Sequence, residues 1–206
     1  MNKKRLIAVR EEQVTVKYYK FDELSDKAKE RAIQDYADFE ANENIWWEFL
    51  IDDYTERIAN ELGLNTSEVK ISFSLSSSQG DYAHVAIDGR YLNDTLLKAV
   101  GIEVPEEYKK YVYECVRLER PDKAYADADV DWEDYADEDE MQSKEYIWLS
   151  NNIDKIAEAF DTYFDEKDDE IYHALDKEWD YITSEEQVQE TSEANGWEYD
   201  ENGEMI

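Results

Sequence analysis

Residues 69–87, VKISFSLSSSQGDYAHVAI, decide the fold class of this 206-residue chain. Within 69–75, apolar side chains alternate with polar ones, which is the period of a strand that buries one face. A polar turn, SSSQGD, occupies 76–81, and a second apolar strand follows over 82–87. Two such strands joined by a short turn predict an antiparallel hairpin.

Helical periodicity surrounds this hairpin. A helix is predicted over 26–40, because a serine stands at its N-cap position. A second predicted helix ends before Gly63, a common C-terminal stop. Its apolar stripe recurs at helical spacing and consists of Trp47, Leu50, Ile51, Tyr54, Ile58 and Leu62. A short helix is predicted over 94–100, and Pro105 opens another whose apolar face includes Leu118.

Strands and helices mix without a βαβ alternation, so we expect an α+β fold. It would have a small antiparallel sheet packed with helices, followed by an acidic helical part that ends in a short hairpin. We expect a mixed α+β domain at 1–120, an acidic linker or surface loop at 121–143, and an acidic helical region with a C-terminal β-hairpin at 144–206. The longest helical pattern indicates one helix, or two helices interrupted near 165–169. Ser184 begins a capping box for the last helix.

Composition favours a folded cytoplasmic protein. The chain is 42% apolar and 14% aromatic, which argues against disorder. Cys115 is the single cysteine, so no internal disulfide forms, as is usual in a reducing compartment. The apolar run at 6–9 is too short for a signal peptide, and no stretch reaches the roughly 18 apolar residues of a membrane span.

The charge is extreme and uneven. The chain has 54 acidic and 22 basic residues, a net charge of −32. Residues 1–120 carry 24 acids and 17 bases, whereas 121–206 carry 30 acids and 5 bases. Such asymmetry is typical of an interaction surface.

The acids of 161–180 have the density of a nucleic-acid strand. A helix of this length spans about 30 Å, and one DNA strand places about nine phosphates in that distance at about 3.4 Å each. We therefore predict a partner-binding surface that imitates DNA. Its nine acids are Asp161, Asp165, Glu166, Asp168, Asp169, Glu170, Asp176, Glu178 and Asp180.

The segment 121–143 adds acids interleaved with aromatic residues, which supply the desolvated anchors that charge alone lacks. The residues predicted to join the partner-binding surface are Asp129, Asp131, Trp132, Glu133, Asp134 and Tyr135. The alternative is a solvated acidic face that serves only solubility.

The sequence favours binding over catalysis. His84 falls in a predicted strand and His173 on a predicted helix, with no nucleophile motif beside either. Cys115 lies on an apolar helix face and is expected to pack as a small hydrophobe. We therefore predict no catalytic residue and no cofactor.

A metal site is not expected either. Asp127, Asp129, Asp131 and Glu138 match positions 1, 3, 5 and 12 of a calcium-binding loop. However, Trp132 occupies position 6, where the sharp turn needs glycine.

Several motifs in residues 14–91 resemble a set of small phage and prophage proteins of uncharacterised function. The motifs are YKFDELSDKAK at 19–29, WWEF at 46–49, Leu62-Gly63, Phe73 and SQGDYA at 78–83. The resemblance implies a phage gene product that acts in the host cytoplasm. Phages encode acidic proteins that imitate DNA or block DNA-binding defence enzymes, including anti-restriction and anti-CRISPR proteins.

These observations together predict a phage-encoded stoichiometric inhibitor of a host nucleic-acid-binding machine, such as a CRISPR effector or a restriction enzyme. The expected partner is basic, and direct binding to nucleic acid or to a membrane is not expected because like charges repel. One alternative is a phage metabolic enzyme or small-ligand module that uses the 76–81 turn, with Ser78, Gln79 and Asp81 as its ligand-binding residues. A further alternative is a virion assembly component. The sequence leaves the oligomeric state open.

Overall fold

The computed structural model describes residues 17–43, 46–75, 80–132 and 140–206. The chain divides into two compact units. The smaller unit consists of Met1–Glu43 with Asp180–Ile206, and the larger unit is Asn44–Trp179. Each has its own hydrophobic core.

The larger unit contains a four-stranded antiparallel sheet. Its strands are β1 (Val69–Ser74), β2 (Tyr82–Tyr91), β3 (Val116–Arg120) and β4 (Asp129–Trp132), and they lie side by side in chain order. The hairpin of β1 and β2 is confirmed, with Phe73 opposite Ala83. With helices packed on this sheet, the chain is an α+β protein, as predicted.

Seven α-helices occur within the described residues: α1 (Asp26–Glu43), α2 (Glu48–Leu62), α3 (Asp94–Ala99), α4 (Glu106–Cys115), α5 (Lys144–Ser150), α6 (Ile153–Ile182) and α7 (Glu185–Asn195). The first four agree with the sequence patterns, and Ser184 accepts a hydrogen bond from the Gln187 backbone as the N-cap of α7. None of the helices within the described residues is both long and apolar enough to cross a membrane.

Helix α6 supplies much of the larger unit's core. Its buried face comprises Ile156, Phe160, Tyr163, Phe164, Ile171 and Leu175. These side chains belong to one cluster with Ile58 and Leu62 of α2 and with Val85 and Leu118 of the sheet. Helix α6 runs through 165–169 without a break, although Asp168 rather than an apolar residue faces the interior there. Of the two alternatives, a single helix is therefore confirmed.

The smaller unit packs α1 and α7 around Phe21 and Tyr199. Tyr199 forms antiparallel bridges with Tyr19 and Met205. The second bridge closes the short C-terminal hairpin that the sequence predicts. Its turn needs glycine at 203, because φ there is +88° and a Cβ would collide with the carbonyl oxygen of Ala28.

Three parts of the larger unit differ from the sequence patterns. Leu118 lies in β3 rather than on a helix, because α4 ends at Cys115. Strand β2 continues past Asp88-Gly89 to Tyr91, with an irregular register opposite β3. Residues 129–132, which are predicted to belong to a linker or surface loop, form β4 by pairing with β3. The alternation of Val14, Val16 and Tyr18 also predicts a strand at 13–20, of which 13–16 lie outside the described residues.

The two compact units also divide the chain differently from the expected boundaries at 120 and 143. The region 144–206 contributes α5 and most of α6 to the larger unit and its last residues to the smaller one. Such a division joins segments distant in sequence, so composition along the chain gives no sign of it.

Candidate acidic binding surface

The acids of α6 fall into two groups, because a helix turns by 3.6 residues and only part of its surface faces solvent. Asp165, Glu166, Asp169, Glu170 and Asp176 are exposed. Of the nine predicted acids, the others in the larger unit are Asp161, Asp168 and Glu178, which are partly buried. Asp180 is exposed and belongs to the smaller unit.

Asp168 is an interior ligand rather than a surface charge. Its two carboxylate oxygens accept hydrogen bonds from Nη1 and Nη2 of Arg120 at 3.0 and 2.8 Å. Oδ1 also accepts from the backbone N–H of Val85 at 2.8 Å. The Arg120 side chain is only 2% exposed. Its Nε and Nη1 also donate to the carbonyl oxygens of Ala126 and Val85, at 3.0 and 2.9 Å. The charge of Asp168 is therefore compensated by Arg120 inside the fold.

His84 lies next to the Asp168–Arg120 pair and is fully buried. Its Nε2 is 2.9 Å from the carbonyl oxygen of Pro121 and donates to it, because a carbonyl oxygen can only accept. Its Nδ1 is 3.5 Å from Oδ2 of Asp168. The predicted structural role of this histidine fits these contacts.

Asp161 and Glu170 also have internal partners. Oδ1 of Asp161 accepts a hydrogen bond from the backbone N–H of Ala128 at 2.7 Å. Glu170 receives a hydrogen bond from Arg57 at 2.8 Å and lies 3.9 Å from Lys167. The density of nine acids therefore overstates what α6 presents to a partner.

An outward stripe of carboxylates remains. Glu158, Asp165, Asp169 and Asp176 are all exposed and recur at intervals of seven, four and seven residues, which keeps them on one side of the helix. We call these four residues the acidic stripe. It spans about 27 Å at 1.5 Å per residue. Glu158 was missed because the charge count began at 161, although helical spacing from Asp165 would have found it.

The stripe has few compensating cations. Within the part of the chain that the structure describes, its one salt-bridge contact under 4.0 Å joins Asp165 to Arg120 at 3.8 Å. The other three carboxylates have no lysine, arginine or histidine nitrogen within that distance among the described residues. One acid per roughly 9 Å of helix is sparser than the phosphates of a DNA strand, but three of the four carboxylates have no such cation contact among the described residues.

The acids of β4 are exposed at Asp129 and Asp131, which alternate with half-buried Val130 and Trp132. The Trp132 ring packs against Tyr146 with centroids 4.8 Å apart, so it anchors α5 to the sheet. The predicted partner-binding residues Glu133, Asp134 and Tyr135 lie outside the described residues. The calcium-loop register is extended strand at Asp129 and Asp131, and the described residues contain no group of three potential metal ligands.

A cleft of about 610 Å³ opens beside the stripe. Asp165, Asp168 and Asp169 of α6 line one side. Asp81, at the end of the predicted ligand turn, lines another. The other two residues predicted for that turn, Ser78 and Gln79, lie outside the described residues. The cleft is the point where two separately predicted surfaces meet.

Electrostatics in this cleft oppose ionisation of Asp165. Partial burial raises the pKa of its carboxyl group, Arg120 lowers it, and the neighbouring carboxylates of Asp168, Asp161 and Asp127 raise it again, for a net increase. A carboxyl group crowded by like charges is stabilised by any cation that approaches.

Comparison with protein-family models, curated proteins and solved structures finds no match to this chain. No residue role can therefore be transferred from a relative. The features that bear on function are the acidic stripe, the adjoining cleft and the charge of the chain.

Proposed function

We propose that the protein is a phage-encoded stoichiometric inhibitor of a host nucleic-acid-binding defence machine, of the anti-CRISPR or anti-restriction type. Its acidic stripe occupies the basic channel where nucleic acid would lie. The observation that carries this proposal is the outward series of four carboxylates on one rigid helix, three of them without a cation within 4.0 Å among the described residues.

The acidic stripe destabilises the folded chain unless a basic partner binds to it. Carboxylates on one side of a helix repel each other and weaken the compact state. A basic channel removes the repulsion and draws the two proteins together at long range. The same field disfavours nucleic acid and anionic lipid as direct ligands.

Neutralising the stripe tests this role. We expect the triple variant Glu158→Gln, Asp169→Asn, Asp176→Asn to lose capture of basic nucleic-acid-binding proteins from bacterial lysate at low salt. Salt or added DNA should elute the same proteins from the wild type. Capture is quantified by mass spectrometry.

A matched control distinguishes the effect of the stripe's position from the effect of net charge alone. The variant Asp52→Asn, Asp53→Asn, Glu56→Gln removes three exposed acids from α2 and changes the net charge equally. It should retain capture. Equal loss in both variants, or capture that is unchanged in high salt, would contradict the proposal.

The cleft favours a second candidate function, a small-ligand-binding module. Its volume of about 610 Å³ is within the range of ligand pockets, and Asp81 of the predicted ligand turn lines it. Asp81→Asn would then abolish binding of the small ligand, whereas the double variant Glu158→Gln, Asp176→Asn, whose residues lie outside the cleft lining, would keep it; this is the opposite of the result expected for an inhibitor.

A further inference from the structure

We propose that the cleft beside the acidic stripe receives one arginine side chain of the basic partner. This inference rests on the proposed function, because it names a contact of the same acidic surface. The cleft would act as an anchor that fixes where the partner docks, whereas the stripe acts at long range.

The cleft is lined in part by tyrosine rings, on which a guanidinium group can stack. Tyr82, Tyr125 and Tyr172 all line it. The rings of Tyr82 and Tyr125 lie 5.6 Å apart at 55°, and the Tyr125 hydroxyl donates to the carbonyl oxygen of Asp81 at 3.2 Å. Tyr125 nevertheless remains 69% exposed. An aromatic face held open to solvent beside carboxylates attracts a planar cation.

The charge of the cleft favours the same ligand. Carboxylates of Asp81, Asp127, Asp165, Asp168 and Asp169 line it together with one guanidinium, that of Arg120. Arg120 is held in the floor by Asp168 and two carbonyl oxygens, so its hydrogen bonds are directed to the protein. The lining therefore has an excess of negative charge.

A bare metal ion fits this site less well than a side chain. The described residues hold no cluster of three potential metal ligands, and the cleft is far larger than a single ion. Arginine combines a positive charge with a flat surface that stacks on phenol rings, and its five N–H donors match dispersed carboxylates. Lysine supplies only a point charge.

The test uses hexa-arginine and hexa-lysine peptides as probes, titrated calorimetrically into the full chain at low salt. Tyr125→Leu removes the ring without changing charge, and we expect it to weaken hexa-arginine binding about two- to fivefold, the effect of an exposed cation–aromatic contact. Tyr125→Phe keeps the ring and should bind as the wild type does. Hexa-lysine should bind more weakly and respond less to Tyr125→Leu.

The outcomes separate this inference from the proposed function. If the triple stripe variant weakens hexa-arginine binding but Tyr125→Leu does not, the cleft inference is overturned and the acidic surface stands. If hexa-arginine fails to bind the wild type at low salt, both fail.

A second readout does not depend on the variants. Adding hexa-arginine to the wild type should shift the ring signals of Tyr82, Tyr125 and Tyr172 in NMR spectra, and unchanged signals would overturn the inference. Free arginine methyl ester should bind far more weakly than the peptide. If arginine methyl ester bound as tightly as hexa-arginine, the natural ligand would be a small cationic molecule and not a side chain of the partner, and this assignment would be overturned.

Discussion

Asp168 joins three separate parts of the larger unit. It projects from α6, receives the backbone N–H of Val85 in β2, and forms a two-point pair with Arg120 at the end of β3. The Arg120 guanidinium also lies 4.9 Å from the centre of the Phe164 ring. Since Arg120 is almost fully buried, its charge depends on this one carboxylate for close compensation.

Removing Asp168 should therefore cost far more than removing a stripe acid. We expect Asp168→Ala to lower the free energy of unfolding by about 3–5 kcal/mol, because it removes the two-point pair of a buried guanidinium and leaves only the 3.8 Å contact with exposed Asp165. Asp168→Asn keeps an acceptor for Val85 and should cost less. Urea unfolding followed by circular dichroism measures the differences.

Asp176→Ala on the same helix is the control, and it should stay within about 0.5 kcal/mol of the wild type because its side chain is exposed. Equal unfolding midpoints for Asp168→Ala and Asp176→Ala would show that the Arg120 pair contributes nothing to stability.

At the scale of elements, α2 and α6 are tied by a polar network at the edge of their apolar contact. Oε2 of Glu61 accepts hydrogen bonds from the Tyr163 hydroxyl and from Lys167, both at 2.8 Å. Burial raises the pKa of Glu61, but the bonds from Lys167 and Tyr163 outweigh it, so the pKa falls below its usual value of 4.5. The same contact, with burial, raises the pKa of Tyr163.

The sign of this shift gives a pH prediction. A carboxylate whose pKa is lower in the folded state stabilises the fold above its unfolded pKa, and the contribution disappears as the pH falls through the folded pKa. The stability gap between the wild type and Glu61→Gln should thus narrow as the pH falls below 4.5. Urea midpoints across that range test it, with exposed Glu56→Gln on the same helix as the charge control. A gap that stays constant with pH would contradict the assignment.

At the scale of the whole molecule, the sequence predicts what local periodicity determines. The α+β class, the β1–β2 hairpin and helices α1 to α4 follow from spacing and caps. Strand β4 shows the strand period, since Asp129 and Asp131 alternate with Val130 and Trp132, but four residues within an acidic stretch are a weak signal, and their pairing with β3 among the described residues depends on the fold. The inward roles of Asp161 and Asp168 were equally hidden, since they depend on Ala128 and Arg120, which are distant in sequence.

The candidate site was partly predictable for the same reason. The density of acidic residues along the sequence identifies an acidic helix. Which face of that helix is exposed to solvent depends on what packs against its other face. Asp165, Asp169 and Asp176 belong to both the predicted set and the observed stripe. Tyr125 is one of several aromatic residues of the 121–143 segment, and its place beside Tyr82 depends on the fold.

The net charge of −32 makes a final prediction about the entire chain. Acids outnumber bases so strongly that repulsion should outweigh attraction between exposed charges, and salt screens both. The melting temperature should therefore rise between about 0.01 M and about 0.5 M sodium chloride, by about 2–4 °C for each 1 kcal/mol of repulsion removed. The triple stripe variant should begin higher and rise less, because part of its repulsion is already gone. Differential scanning calorimetry measures both. A melting temperature that falls with salt would show that attraction in the ion pairs outweighs repulsion. Repulsion within the acidic stripe would then not be a destabilising term that a basic partner removes.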